Sequence, residues 1–278
     1  MRINPRIVNK FFGMALSFSA LFTVGVLVLI VAIIFFKGVV NVNMEFILSY
    51  PEDMGRHGGV FPSVMGTIFL AVLSIALATP LGVGTAIFLT EYTRESFLTQ
   101  AIRFGIEALA GIPSIIYGLF GFIFFVIQLK MGWSLLSGTL TLTIMILPTI
   151  IRTSEEAIKS VPYSFRMVSY SLSATKWETI TRVVLPSAAP GILTGVMLSI
   201  GRVVGETAAV IFTMGSSLRL PTGLFDSGRT MAVHFYILAR EGISLEKAYA
   251  TALVLVVSIL VINIIAYYLM NRMMARYS

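Results

Sequence analysis

Six long stretches of this 278-residue sequence are apolar almost without interruption, and no other feature narrows the fold so far. A hydrocarbon layer of about 30 Å is crossed by around 20 helical residues. The stretches at about 12–36, 64–90, 107–128, 134–152, 187–214 and 248–270 reach or approach that length, the fourth being the shortest and the fifth carrying two charges. They are continuous rather than alternating, and in lipid every backbone amide must be bonded internally, so they read as helices and not as strands of a barrel. With 57% hydrophobic and only 12% charged residues, the chain lies far from a soluble domain, where about 25% are charged. The expected fold is therefore an all-α integral membrane bundle of six transmembrane helices. The first run exceeds the roughly 7–15 apolar residues of a signal-peptide core and reads as a retained first helix.

The net charge of +7 does not indicate nucleic-acid binding, because the basic residues sit in short loops rather than on one soluble face. It carries topology instead. Placing the N-terminus inside puts twelve of the twenty Lys and Arg residues in inner segments, among them Arg94, Arg103, Arg152, Lys159, Arg166, Lys176 and Arg182. Seven fall outside, Lys37, Arg56, Lys130, Arg219, Arg229, Arg240 and Lys247, so both termini are expected in the cytoplasm. Residues 37–63 and 215–247 become outer segments, the second holding an apolar run from Met231 to Leu238 that fits an interfacial position and offers Arg229 and Arg240 to a partner. There is no cysteine, which rules out disulfides, thiolate chemistry and cysteine-based zinc. His57 and His234 lack metal-ligand spacing and read as solvated or packed.

The inner loop, about 152–186, mixes charged and apolar residues at helical spacing. Thr175 followed by Glu178 fits a capping box, so a short helix starts near Lys176. Pro186 biases Leu185 away from helical geometry, which ends that helix by Val184 and leaves Trp177, Ile180 and Val184 on one face. Such a helix either lies on the lipid surface or docks a partner.

Arg202 and Glu206 lie inside the fifth apolar run. Buried charge in lipid costs at least about 2.5–3.5 kcal/mol, so both are expected to face the bundle or a watered path. Four residues apart on one helix, they are placed to pair, about 24 Å of helical rise from Pro186. Two readings follow: Arg202 meets a translocating anion while Glu206 weakens that contact, or the two form a structural ion pair. Thr207 adds a hydroxyl, although membrane threonines commonly bond their own backbone. In the third run, Ser114 and Tyr117 follow the break-prone Gly111 and Pro113 and are candidate path-lining residues.

The loop 151–195 resembles the coupling motif of type-1 ABC importer permeases, whose pattern is Glu-Ala-Ala, three residues, Gly, nine residues, Ile, one residue, Leu-Pro. Leu185-Pro186 match, Val183 takes the Ile place and Ser173 the Gly place, whereas Met167, Val168 and Ser169 replace Glu-Ala-Ala. Four further stretches are similar to phosphate-specific permeases of the PstA type: GGVFPSVMGTIFL at 58–70, GIPSIIYGLFG at 111–121, GRVVGETAAVIFT at 201–213 and GRTMAVHFYILA at 228–239. The sister PstC type shares the GET segment. The resemblance implies a permease domain over 59–270, preceded by an end piece of 1–58 and followed by a tail of 271–278. It further implies a second permease subunit of the PstC type, a PstB-type ATPase homodimer that binds ATP and Mg, and a PstS-type extracytoplasmic phosphate-binding protein, in a bacterial or archaeal cytoplasmic membrane. Docking to the ATPase would fall on Ser173, Lys176, Trp177, Glu178, Arg182, Leu185 and Pro186, and ATP-driven alternating access would carry inorganic phosphate.

No phosphate-binding loop of the G-x-x-x-x-G-K-[ST] form and no H-E-x-x-H helix occurs, so this chain has no catalytic residues or cofactor of its own by motif, and ATP hydrolysis falls to another polypeptide. A membrane-embedded hydrolase would need a convergent nucleophile and base. An autonomous channel or secondary carrier would have no use for a capped cytoplasmic helix bearing Trp177.

Overall fold

The computed structural model describes residues 5–94 and 96–274, and these are mostly helical. Helix α1 spans Pro5–Gly38, the short α2 Met44–Leu48, and α3 Phe61–Ile87, which continues as a wide π-helical turn over Phe88–Tyr92. Next come α4, Phe97–Ala110, and α5, Ser114–Gly121, the latter extended by a second wide turn, Phe122–Gln128. Helix α6 covers Leu135–Ser160, α7 Tyr163–Ser171 and α8 Lys176–Thr179, which runs through a third wide turn, Ile180–Val184, into α9, Leu185–Val204. The chain closes with α10 Ala208–Thr213, α11 Met231–Arg240 and α12 Leu245–Met274. Among the described residues five helices are long and apolar enough to cross a membrane, and a sixth span results if α4 and α5 with its extension count as one.

The body is built on α3, α6 and α9. Helices α3 and α6 run in the same direction, with Gly138 against Leu70 and Gly82 against Ile150, and α9 returns along α6 with Gly191 on Ala157 and Gly195 on Thr153. Small residues at these contacts let backbones approach where lipid supplies no hydrophobic drive between helices. Leu142, Ile146, Ile150 and Val204 are buried at the centre of the bundle. Helix α1, in contrast, has no buried residue in its apolar stretch and packs on the body along α12, where Gly38 lies against Tyr249 and Leu253.

Three of the expected spans differ from the observed ones. The third run is a pair of helices bent by 100° around residues 111–113. Pro113 removes a backbone donor and restricts Ile112, so the helix cannot pass through. The fourth run does not stop at residue 152 but continues to Ser160, because its last turns are charged yet paired: Glu155 forms ion pairs with Arg103 at 2.8 Å and with Lys159 at 2.7 Å. The fifth is interrupted after Val204.

At the end of the bundle remote from α7 and α8, residues 51–52 and 57–58 pair as a two-stranded hairpin, Pro51 opposite Gly58. Helix α11 buries Met231, Val233, His234 and Leu238 against the body rather than lying free at an interface. Its Met231 N–H donates to Thr67 Oγ1 of α3 at 2.9 Å. Arg229, expected to be presented to a partner, is 7% exposed. Its Nε donates to Ser216 O at 3.0 Å and its Nη1 to His234 Nδ1 at 3.1 Å. That bond requires a neutral imidazole carrying its proton on Nε2. Burial first, then the neighbouring guanidinium, push the His234 pKa down to about 3, and burial lowers Arg229 to about 10. Arg240 does remain on the surface, its Nη1 2.8 Å from Tyr236 Oη.

Candidate functional site

Two interrupted helices meet within the bundle. Helix α5 starts at Ser114 and α10 at Ala208, and they run side by side in the same sense: Gly118 lies against Ala208 and Ala209, and Gly121 against Thr213 and Thr141 of α6. Any side chain at Gly121 would strike Thr141 Oγ1, so this contact depends on glycine. Irregular backbone at membrane depth is tolerated where protein buries it or where it borders a watered cavity, which makes such junctions candidates for a transport path.

Each break is closed by identifiable bonds. At the first, Ile112 N–H and the Tyr117 hydroxyl both donate to Leu109 O, at 3.1 and 2.7 Å, satisfying a carbonyl that the end of α4 leaves free. Tyr117 is buried and thus holds the bend. At the second, Gly205 N–H reaches Gly201 O and Glu206 N–H reaches Val203 O, each at 3.2 Å, and the helix ends. Glu206 Oε1 then accepts from Ala209 N–H at 3.2 Å and caps α10.

This changes the expected relation of Arg202 and Glu206. Their pairing assumed one continuous helix, but the break between them removes the shared face, and Glu206 turns to α10. Arg202 is left half-buried with no hydrogen bond or ion pair among the described residues. Ser114 and Thr207, at the starts of the two resumed helices, are half-buried and make no side-chain hydrogen bond among the described residues.

The second candidate region is the α7–α8 hairpin. The capping box forms as expected: Thr175 Oγ1 accepts from Glu178 N–H at 3.3 Å, and Glu178 Oε2 accepts from Thr175 N–H at 2.9 Å. Between the helices Ser173 adopts φ +62, and the turn carries the two bonds of a Schellman motif, Ala174 N–H to Ser169 O and Ser173 N–H to Tyr170 O. The left-handed turn that glycine would make easily is thus made with serine. Helix α8 does not stop at Val184. The wide turn before Pro186 lets the chain pass the proline, whose ring in a regular helix would meet the carbonyl of Arg182, and the helix continues into α9.

The hairpin divides cleanly into a buried and an open side. Ile180 and Val184 are buried, and Leu185 and Pro186 are half-buried at the root of α9. Ser169 and Thr179 share a buried hydroxyl–hydroxyl bond of 2.9 Å between α7 and α8. Trp177 does not join Ile180 and Val184 but is 60% exposed. Met167 and Val168 of α7 and Leu172 just after it are likewise exposed, Leu172 to 79%, so the tip presents apolar side chains beside Lys176 and Arg182. Two of these residues occupy Glu-Ala-Ala positions, where sequence comparison registered only a mismatch.

Residues 78–275 match the family described as binding-protein-dependent transport system inner membrane component. The chain is 32% identical over 284 residues to the probable ABC transporter permease protein YqgI of Bacillus subtilis (strain 168), covering 96% of this chain and 95% of that protein. It is 35% identical over 217 residues to the phosphate transport system permease protein PstA of Mycobacterium leprae (strain TN), covering 77% of this chain and 70% of the relative. Among solved structures, a chain of a bacterial alginate ABC transporter, crystallised with its alginate-bound periplasmic protein, superposes with a TM-score of 0.70 over 95% of both chains at 16% identity. Sequence and fold agree: this chain belongs to the binding-protein-dependent transport system inner membrane components, the membrane-embedded permeases of type-1 ABC importers.

Proposed function

We propose that the chain is the PstA-type permease subunit of an importer for inorganic phosphate. The observation that carries the reading is Arg202: a guanidinium held at a helix break inside the bundle, with no counter-charge bonded to it among the described residues. Guanidinium geometry suits the oxygens of a tetrahedral oxyanion. Ser114 and Thr207 supply hydroxyls from the two resumed helices, Tyr117 holds the bend, and Glu206 fixes the first turn of α10. The PstA relative supports phosphate as the oxyanion.

In this reading residues 59–270 form the permease unit, with 1–58 and 271–278 as its flanks. A PstC-type permease supplies the other half of the path and a PstS-type protein delivers phosphate. A PstB-type homodimer binds ATP and Mg and docks on the α7–α8 tip through Trp177, Lys176, Glu178 and Arg182, with Ser173, Leu185 and Pro186 shaping the hairpin behind it. Both termini lie in the cytoplasm of a bacterial or archaeal cell whose inner membrane the bundle spans, as the distribution of basic loops favours. ATP binding draws the two ATPase subunits together, and the hairpins move with them to open the path outward.

The test is reconstitution of the four-component assembly in proteoliposomes, with phosphate, sulfate and molybdate offered through their own binding proteins or at saturating concentration. ATP-dependent uptake of phosphate alone is expected. Uptake of only another oxyanion would overturn the substrate, and phosphate flux through this chain alone would overturn the ATP-driven mechanism.

A further inference from the structure

The wide turn at the end of α3 grips both arms of the coupling hairpin. One carboxylate oxygen of Glu91 accepts two bonds from Arg166 of α7, from Nε at 3.1 Å and from Nη2 at 2.6 Å. The same guanidinium donates Nη1 to Val161 O at 2.9 Å and Nη2 to Ile158 O at 3.1 Å, two carbonyls where α6 ends. Both side chains are nine-tenths buried or more. One residue further on, the Tyr92 ring lies 4.8 Å from Nζ of Lys176, the first residue of α8.

A buried ion pair is a weak device for stability, because desolvation offsets much of its attraction. What it does have is a single geometry. A planar guanidinium bonded to one carboxylate and two carbonyls fixes α7 against α3 and α6 at once, whereas apolar side chains slide and repack. The π-helical turn at Phe88–Tyr92 shifts the register of the last residues of α3, which is how Glu91 and Tyr92 come to face the two arms.

We infer that Glu91 and Arg166 form a permanent strut that makes the coupling hairpin and the adjoining ends of α3 and α6 move as one body. Neither residue touches nucleotide or phosphate; both are positioning residues that convert a push on the hairpin into displacement of the bundle. The inference rests on the proposed ATP-driven import and adds the element through which force passes. It also states that the strut stays closed throughout the cycle, which separates it from a gate.

The experiment measures phosphate taken up per ATP hydrolysed by the complete reconstituted transporter, with co-purification of the ATPase as the check on assembly. Glu91→Gln and Arg166→Lys are expected to assemble yet lower that ratio about fivefold or more, in the range of ordinary coupling between sites. The chain contains no cysteine, so Glu91→Cys with Arg166→Cys can be joined selectively by a short bifunctional thiol reagent. Bridging is expected to restore the ratio of the pair towards wild type, which also keeps the inference testable where a single variant fails to assemble. A bridged pair that hydrolyses ATP without transport, or a Glu91→Gln transporter coupled as tightly as wild type, overturns the strut. A wild-type assembly that shows no phosphate-dependent hydrolysis overturns the import reading on which it rests.

Discussion

Two arginines in the same bundle are treated in opposite ways. Arg166, at the root of the coupling hairpin, has its guanidinium bonded to a carboxylate and two carbonyls; Arg202, at the break between α9 and α10, bonds nothing among the described residues. Both are removed in part from water, so both carry a desolvation cost. In the first case the cost is offset within the chain, and the result is rigidity. In the second it is left open, and an anionic ligand is the natural partner. On the proposed reading the hairpin is a mechanical part and the break a binding part, although charge alone gives the two arginines the same appearance in the sequence.

Removing each side chain should separate these roles. Arg166→Ala leaves Glu91 buried without a partner and is expected to destabilise the fold by about 3–5 kcal/mol. Arg202→Ala breaks no bond and is expected to stay within about 0.5 kcal/mol. Denaturant titration of the purified chain in detergent, read by tryptophan fluorescence, reports both, and equal losses would break the comparison. On the open side of the hairpin, Trp177→Ala is expected to weaken association with the ATPase by about 2 kcal/mol, roughly 30-fold, as for a central aromatic anchor. Titration of the purified subunits measures this, and unchanged affinity would move docking away from the tip.

The Arg229–His234 pair offers a third, structural arginine and a pH dependence with a definite sign. The unfolded chain takes up a proton at His234 as pH falls through about 6.5, whereas the folded chain keeps it neutral until about 3. Stability is therefore fully present above the upper value and is lost with falling pH across that window, at about 1.4 kcal/mol per unit for this group. Comparing the pH slope of unfolding for wild type and His234→Asn isolates it, and identical slopes would contradict the buried neutral imidazole. The smallest effect is expected at Ser173, whose φ of +62 costs a side-chain-bearing residue about 1 kcal/mol. Ser173→Gly should stabilise the turn by that amount, less the added freedom of the unfolded glycine, and leave ATPase affinity unchanged.

What could be seen in the sequence was local. The capping box at Thr175 and Glu178 closes within four residues, so its pattern predicts its geometry. The apolar runs gave the number of spans for the same reason that lipid demands them. Gly111 and Pro113 mark the third run as break-prone, but hydropathy averages across them and across Gly205–Thr207, and a spacing argument for Arg202 and Glu206 holds only if the helix is unbroken. Pro186 misled in the other direction, since a widened turn absorbs it. The Glu91–Arg166 contact joins positions 75 residues apart, and no short-range signal marks it. Arg229 looked like a surface cation because charge alone does not reveal the carbonyl of Ser216 and the imidazole waiting behind it.

The division between a binding break and a mechanical hairpin is tested most directly by one substitution, Arg202→Gln, in the reconstituted transporter, with ATP hydrolysis and phosphate uptake followed together. The account predicts a folded, ATPase-bound assembly in which hydrolysis persists while uptake falls by at least about tenfold, equivalent to about 1.4 kcal/mol of lost contact with the anion. Uptake and hydrolysis both at wild-type levels would show that Arg202 is idle during transport and would contradict the central claim.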